Sequence, residues 1–282
     1  MNFKTFYNIY YRHRILKASF FLKIYLLLSS LFKYFLNLFY FPKKNNLDNL
    51  SIKKNFLFDQ DLNYLFEFFN SDKGERYYNQ YAQPYKQNRK LIQAHGYAKF
   101  YEKYFKKIKN ENLNIIELGS FYGNASAALF FYFKNSNIFS ADINPDMYIY
   151  NSKRIKNFYL NSSSKNSIQE NLINRNLKFD IIIEDASHML KDQIISLFMT
   201  FRMLKSGGLF IVEEIDFPQK REDMRINQDP PDLKTILNKI SLNEDFQSKY
   251  ITTEEKTYFL ENFEKISFHI GNFNELAVIK KK

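Results

Sequence analysis

The 282-residue sequence contains no cysteine, which excludes a disulfide framework and a thiolate zinc site. That absence fits a cytosolic protein. No run of eighteen residues is free of charge, so a simple membrane-spanning helix is disfavoured. No G-x-G-x-x-G motif is present, and no glycine turn is followed by the Lys-Ser/Thr of a phosphate-binding loop. The apolar stretch near the N-terminus is followed by no small-residue cleavage site, which argues against an export signal.

The content of 45% hydrophobic and 25% charged residues is that of a folded chain long enough for one substantial core and a smaller appendage. Phe, Tyr, Lys, Asn and Ile dominate, a compositional bias that lowers the functional weight of any single aromatic residue. The net charge of +11 is uneven: residues 1–60 hold ten Lys or Arg against Asp48 and Asp59, whereas the other 222 carry 31 basic and 28 acidic side chains. A nearly neutral body argues against a nucleic-acid partner, and a basic arm points to a partner of its own.

Residues 15–41 are apolar and aromatic, interrupted by Lys17, Lys23 and Lys33. On a helical wheel Arg12, Ser19, Lys23, Ser30, Lys33 and Asn37 share one stripe about 80° wide. A narrow polar stripe suits a helix lying in a membrane interface through residues 12–41, with lysines reaching the headgroups. Packing against the body or a second subunit, as in a homo-oligomer, is the alternative. Pro42 and "PKKNNLDN" read as the end of this arm, 1–44, and a linker. A helical segment spans 45–110, with "DLNYLFEFFNSDKG" stopped by Gly74 and "RKLIQAHGYAKFYEKYFKKIK" as a second helical stretch. In 111–282 the short apolar runs "NIIELGS", "NIFSADI", "KNFYLN", "KFDIIIED" and "GGLFIVEE" are mostly separated by helical stretches. This is the pattern of a doubly wound α/β sheet, mostly parallel, and "EKISFHIGNFNELAVIKKK" adds two strands that supply an antiparallel last strand.

"IIELGSFYGNAS" is a strand, a turn with Gly119 and Gly123, and a helix start. The glycines would let backbone approach a ligand closely. The next strand ends in Asp142, placed to accept both ribose hydroxyls of a nucleoside. A nucleoside site without a phosphate loop points to S-adenosylmethionine.

"FDIIIEDASHML" ends a core strand with Glu184, Asp185 and His188, and the following strand ends with Glu213 and Glu214. Neighbouring strand tips lie ~5 Å apart, so the acids converge where ligands of such a sheet bind. Unpaired, they would repel. A hard divalent cation such as Mg²⁺, held by Asp185, Glu213 and Glu214, removes that conflict. His188 is the candidate general base.

These elements, with "SDKG", "HGYAKFYEKYF", "ADI" and "LKSGGLFIVEEI", resemble the metal-dependent sugar O-methyltransferases of macrocin and mycinamicin biosynthesis, from about Leu62 to the end and thinning after Phe217. The resemblance implies a class I methyltransferase fold. It implies S-adenosylmethionine bound by Glu117, Gly119, Gly123, Ser126 and Asp142, with Asp72 and Lys73 folding over it. Asp185, Glu213 and Glu214 then match the Mg²⁺ ligands, and His188 the base. The chain departs from that pattern at Ala186 for a glycine, at Glu214 for an aspartate, and at "LNSSSKNS" for a G-D-Q-type segment. The expectation is Mg²⁺-dependent O-methylation of a sugar or glycan by a cytoplasmic protein, peripheral at the inner face of the cell membrane. A catechol-like diol is the alternative acceptor, and a non-catalytic membrane-surface protein the alternative role.

Overall fold

The computed structural model describes residues 3–11, 15, 18–38, 44–79 and 90–282. Its centre is a seven-stranded sheet built from β1 (Asn114–Leu118), β2 (Asn137–Asp142), β3 (Ile155–Tyr159), β4 (Phe179–Glu184), β5 (Leu204–Val212), β6 (Phe263–Ile270) and β7 (Glu275–Lys281). Their order is β6-β7-β5-β4-β1-β2-β3. β1 to β5 pair in parallel, and β7 runs antiparallel to both of its neighbours. The expected antiparallel last strand is therefore inserted between β5 and β6. The order reverses at β1, which opens a crevice at the carboxyl ends of β1 and β4.

Both faces of the sheet are covered, which is why its strands read as continuous apolar runs. Ile116, Leu118, Ile182, Phe210 and Val212 point to one face, under helices that include Leu190–Thr200 and Leu233–Ser241. Ile115, Ile181, Ile183 and Ile211 point to the other, under the helix Asn124–Tyr132 and the segment carrying Leu62, Phe66 and Tyr101. That helix is buried from Ala125 to Tyr132 because both the sheet and the N-terminal segment press on it. Phe66, Phe105, Phe130, Phe131 and Phe133 are all fully buried, so much of the aromatic excess builds this layer.

The segment 45–110 differs from its sequence reading in three places. Asn45–Asn46 pairs in parallel with Tyr150–Asn151, and Asp48 accepts from Ser152 Oγ and the Lys153 amide. The supposed linker is thus partly fastened to the body, while Pro42 lies outside the described residues. The helix of "DLNYLFEFFNSDKG" is Leu62–Phe68 and ends before Gly74; just beyond it Asn70 takes φ 58° and accepts from the Tyr78 amide. An asparagine tolerates that left-handed turn. The second helical stretch is only Ala98–Phe105; Leu91–Gln93 forms a strand against Arg76–Tyr78, and Gly96 at φ 69° separates the two.

In the arm, α1 (Phe3–Tyr10) packs on α2 (Phe20–Leu38). Phe3 and Phe6 hold the Tyr34 ring at 5.4 and 5.6 Å. Ser30 is completely buried, so the middle of the polar stripe faces protein rather than water or headgroups, while Ser19 and Lys23 stay exposed. Arg12 and Lys17 lie outside the described residues. No helix among the described residues is long and apolar enough to cross a membrane.

Candidate functional site

Side-chain alternation along three adjacent strands builds the site. Glu117 of β1, and Asp185 and Glu213 just beyond β4 and β5, alternate onto the face that the N-terminal segment covers. From that segment Lys73 inserts its ammonium among them, donating to Asp185 Oδ2 and, at 2.8 Å, to Glu213 Oε2, with Glu117 Oε1 at 3.7 Å. Burial alone would lower the Lys73 pKa, but the charges of Asp185, Glu213 and Glu117 outweigh it and hold it well above the usual lysine range. Burial raises Glu117 to about 7 and Glu213 to about 8.

Glu214 breaks the alternation. Its backbone takes φ 46°, which swings the side chain to the cavity side, and Gln193 fixes this bend by donating to the carbonyls of Glu213 and Glu214. His188 also takes a left-handed backbone, φ 55°, whereas Ala186 does not need one. The imidazole therefore stands between Asp185 Oδ1 and Glu214 Oε2, each 3.6 Å away. Its Nδ1 is buried without a hydrogen-bond partner. Burial holds the His188 pKa below the usual imidazole range, which favours the neutral ring. Burial, with Asp185 and Glu213 nearby, pushes the Glu214 carboxyl well above its range.

One ligand atom each from Asp185, His188 and Glu214 lie within 4.8 Å of one another, a spacing that could hold a metal ion. The two carboxylates suit a hard divalent cation, and the unpartnered ring nitrogen stands beside that position. Glu213 differs from its sequence assignment: its oxygens serve Lys73 and Tyr101, it is 1% exposed, and it lines no part of the cavity. It stands behind the cluster rather than in it. Lys73 meets the acids and also lines the cavity.

A cavity of about 540 Å³ opens onto the cluster. Asp72, Lys73, Glu117, Gly119, Asp142, Asp185, His188 and Glu214 line it, but Gly123 and Ser126 do not. Ser126 is fully buried behind Glu117 and donates to its Oε2 at 2.6 Å, so it orients that carboxylate from behind. The two glycines are needed for packing within the chain. A Cβ on Gly119, φ 92°, would fall 2.1 Å from the Asp185 carbonyl oxygen, and one on Gly123, φ 81°, 2.3 Å from the Tyr148 ring. Asp142 accepts from the amides of Phe121 and Asn144, one on each oxygen. A smaller cavity of about 160 Å³ shares Gly119, Asp142 and Ala186 and extends past Asn161, Ser162 and Ser163.

Three contributors were missed in the sequence. His95 Nδ1 lies 3.3 Å from Glu214 Oε1, Tyr97 donates to the same oxygen at 3.3 Å, and Tyr101 donates to Glu213 Oε1. Tyr97 and Tyr101 sit four apart at the start of one helix, a spacing that puts both phenols on one face. That spacing inside "HGYAKFYEKYF" was the available signal.

No protein-family model and no curated protein matches the sequence. Solved structures do. The MycE methyltransferase from the mycinamycin biosynthetic pathway, in complex with Mg, SAH and mycinamycin VI, superposes with a TM-score of 0.59 at 15% identity over 79% of this chain. Its complex with Mg and SAH gives 0.58 at 16%. The chain spans only 54% and 55% of those proteins' lengths. The likeness is one of fold: the same mostly parallel, doubly wound α/β sheet underlies this chain and the MycE methyltransferase.

Proposed function

We propose that the chain transfers a methyl group from S-adenosylmethionine to a hydroxyl of a sugar or glycan, with Mg²⁺ as the metal. The observation that carries this reading is one continuous cavity from Asp142, at the tip of β2, to Asp185, His188 and Glu214. Asp142 would accept the ribose hydroxyls, each oxygen retaining capacity beyond the one amide it already serves. The smaller cavity beside Asn161, Ser162 and Ser163 would receive the adenine.

Asp185 and Glu214 would hold the cation, which when bound supplies the Lewis acidity that makes a neighbouring hydroxyl more acidic. Neutral His188, on the cavity wall, takes the hydroxyl proton. Bound S-adenosylmethionine would supply the methyl group, an oxygen–carbon bond forming as a carbon–sulfur bond breaks to give an ether and a neutral thioether. Phe217, which packs edge-on against His188 at 5.2 Å, and Arg221 and Met224 form the outer wall where an acceptor would rest. The resemblance to sugar O-methyltransferases favours a saccharide acceptor over a catechol.

The test is transfer of labelled methyl to a panel of nucleotide sugars, oligosaccharides and catechols, with Mg²⁺ or with chelator. Saccharide products that need Mg²⁺ and fall by roughly 10²–10⁴ in turnover for His188→Ala are expected. Catechol products alone would overturn the acceptor, and undiminished turnover in His188→Ala would overturn the base.

A further inference from the structure

Among the described residues, exposed large apolar side chains gather on the outer surface of α2. Phe21, Tyr25, Leu28, Phe32 and Phe35 follow one another at three- and four-residue steps along it, between 60% and 83% exposed. The adjoining row of Phe20, Ile24, Leu27 and Leu31 is also exposed. A water-soluble helix turns such a face inward and its polar stripe outward. Here the apolar face stays outward, because α1 covers the side where Ser30 is buried and Tyr34 is packed, while Ser19 and Lys23 of the polar stripe remain exposed.

From this geometry we infer that the arm lies in an anionic lipid surface, with the outer face of α2 sunk into the acyl boundary. Two observations select lipid over a second copy of the chain. A helix–helix seam is narrow and flanked by polar rows, whereas here the flanking row is apolar too. The charge is also one-sided: residues 1–47 contain eight Lys or Arg and no Asp or Glu. Basic groups beside an apolar helix complement anionic headgroups and would repel their own copies. The helix is not apolar enough to span the bilayer, so the attachment is in-plane. This inference is independent of the methyl-transfer reading.

The experiment is co-sedimentation of the full chain with phosphatidylglycerol–phosphatidylcholine vesicles and with phosphatidylcholine alone. Binding to the anionic vesicles is expected, weakening as salt shortens the range of the charges. Phe21→Ser with Phe32→Ser should lower partitioning by about tenfold or more per site, the scale for withdrawing one large apolar side chain. Both rings point outward, so circular dichroism should not change. A second measurement uses the absence of tryptophan in the sequence. Phe32→Trp introduces a lone indole whose emission should shift to the blue on adding the anionic vesicles. The inference is overturned if the full chain ignores these vesicles at low salt, or if the indole emission does not move. It is equally overturned if light scattering shows the double substitution splitting a dimer while lipid binding is absent, since the face then belongs to a second copy.

Discussion

Lys73→Met tests the charge arrangement at its centre. The substitution keeps an unbranched stem and removes the one ammonium that meets three carboxylates. With both carboxyls ionised, an effective dielectric near 20 gives an attraction of ~6 kcal/mol across the 2.8 Å contact to Glu213 and ~4.5 kcal/mol across the 3.7 Å contact to Glu117. The raised pKa values of both acids reduce these figures near neutral pH. Desolvating the buried ammonium opposes these gains by several kcal/mol. Removing one member of such a cluster nets about 3–5 kcal/mol of destabilisation, because the acids left behind are buried and uncompensated. With a urea m-value of about 3 kcal/mol/M, the unfolding midpoint in chelator should fall by roughly 1–1.7 M. Mg²⁺ should then restore more stability to the variant than it adds to wild type, since the acids have lost their internal counter-charge. At a hundredfold excess over its dissociation constant, a ligand adds about 2.7 kcal/mol. Urea unfolding followed by circular dichroism, with and without Mg²⁺, measures both effects. An unchanged midpoint in chelator would refute the ion-pair arrangement.

Four further outcomes follow from the site. Glu214→Gln should weaken metal binding in calorimetry by tenfold or more, because it removes a carboxylate of the cavity cluster. Glu213→Gln should instead act mainly on stability, by about 1–3 kcal/mol in denaturant unfolding, since its partners are Lys73 and Tyr101. Gly123→Ala places a Cβ 2.3 Å from the Tyr148 ring at φ 81°, so it should lose about 1–3 kcal/mol from backbone strain, plus the overlap; an unaltered midpoint would contradict that packing. Asp142→Ala should abolish measurable S-adenosylmethionine binding in calorimetry while leaving Mg²⁺ binding in place, and intact cofactor binding would remove Asp142 from the site.

Sequence alone was informative wherever one period governed a whole element. The apolar runs ending in Leu118, Asp142 and Glu184 became three of the parallel strands, because burial on both faces leaves no polar alternation to hide them. Asp142, Asp185, His188 and Glu214 reached one cavity because strand tips of such a sheet converge. What the sequence concealed depends on single backbone angles and on packing partners distant along the chain. Glu213 and Glu214 look interchangeable in "VEEI", and only the left-handed φ of Glu214 separates the inner acid from the outer one. Lys73 lies 112 residues from Asp185 and 140 from Glu213, so no local pattern could join them. The polar stripe of the arm was legible, but the side of it that α1 would cover was not.

The division between the two glutamates explains how four acids can share so small a space. Glu117, Asp185 and Glu213 are arranged round Lys73, which offsets part of their charge inside the protein. Glu214, bent to the other side, has no lysine; its neighbours are His188, His95 and the Tyr97 phenol, none of which is a fixed cation. Burial lowers both imidazole pKa values, so neither ring supplies a standing positive charge there. Asp185 belongs to both sides: its Oδ2 accepts a hydrogen bond from the Lys73 ammonium, and its Oδ1 faces His188. The acid shared between the two groups is thereby fixed in orientation by the inner ion pairs, while the outer group has no fixed counter-charge, so Glu214 favours its protonated form until a cation takes the place of the proton. A divalent cation there would meet carboxylates already aimed at it, with the cost of bringing them together carried by the fold.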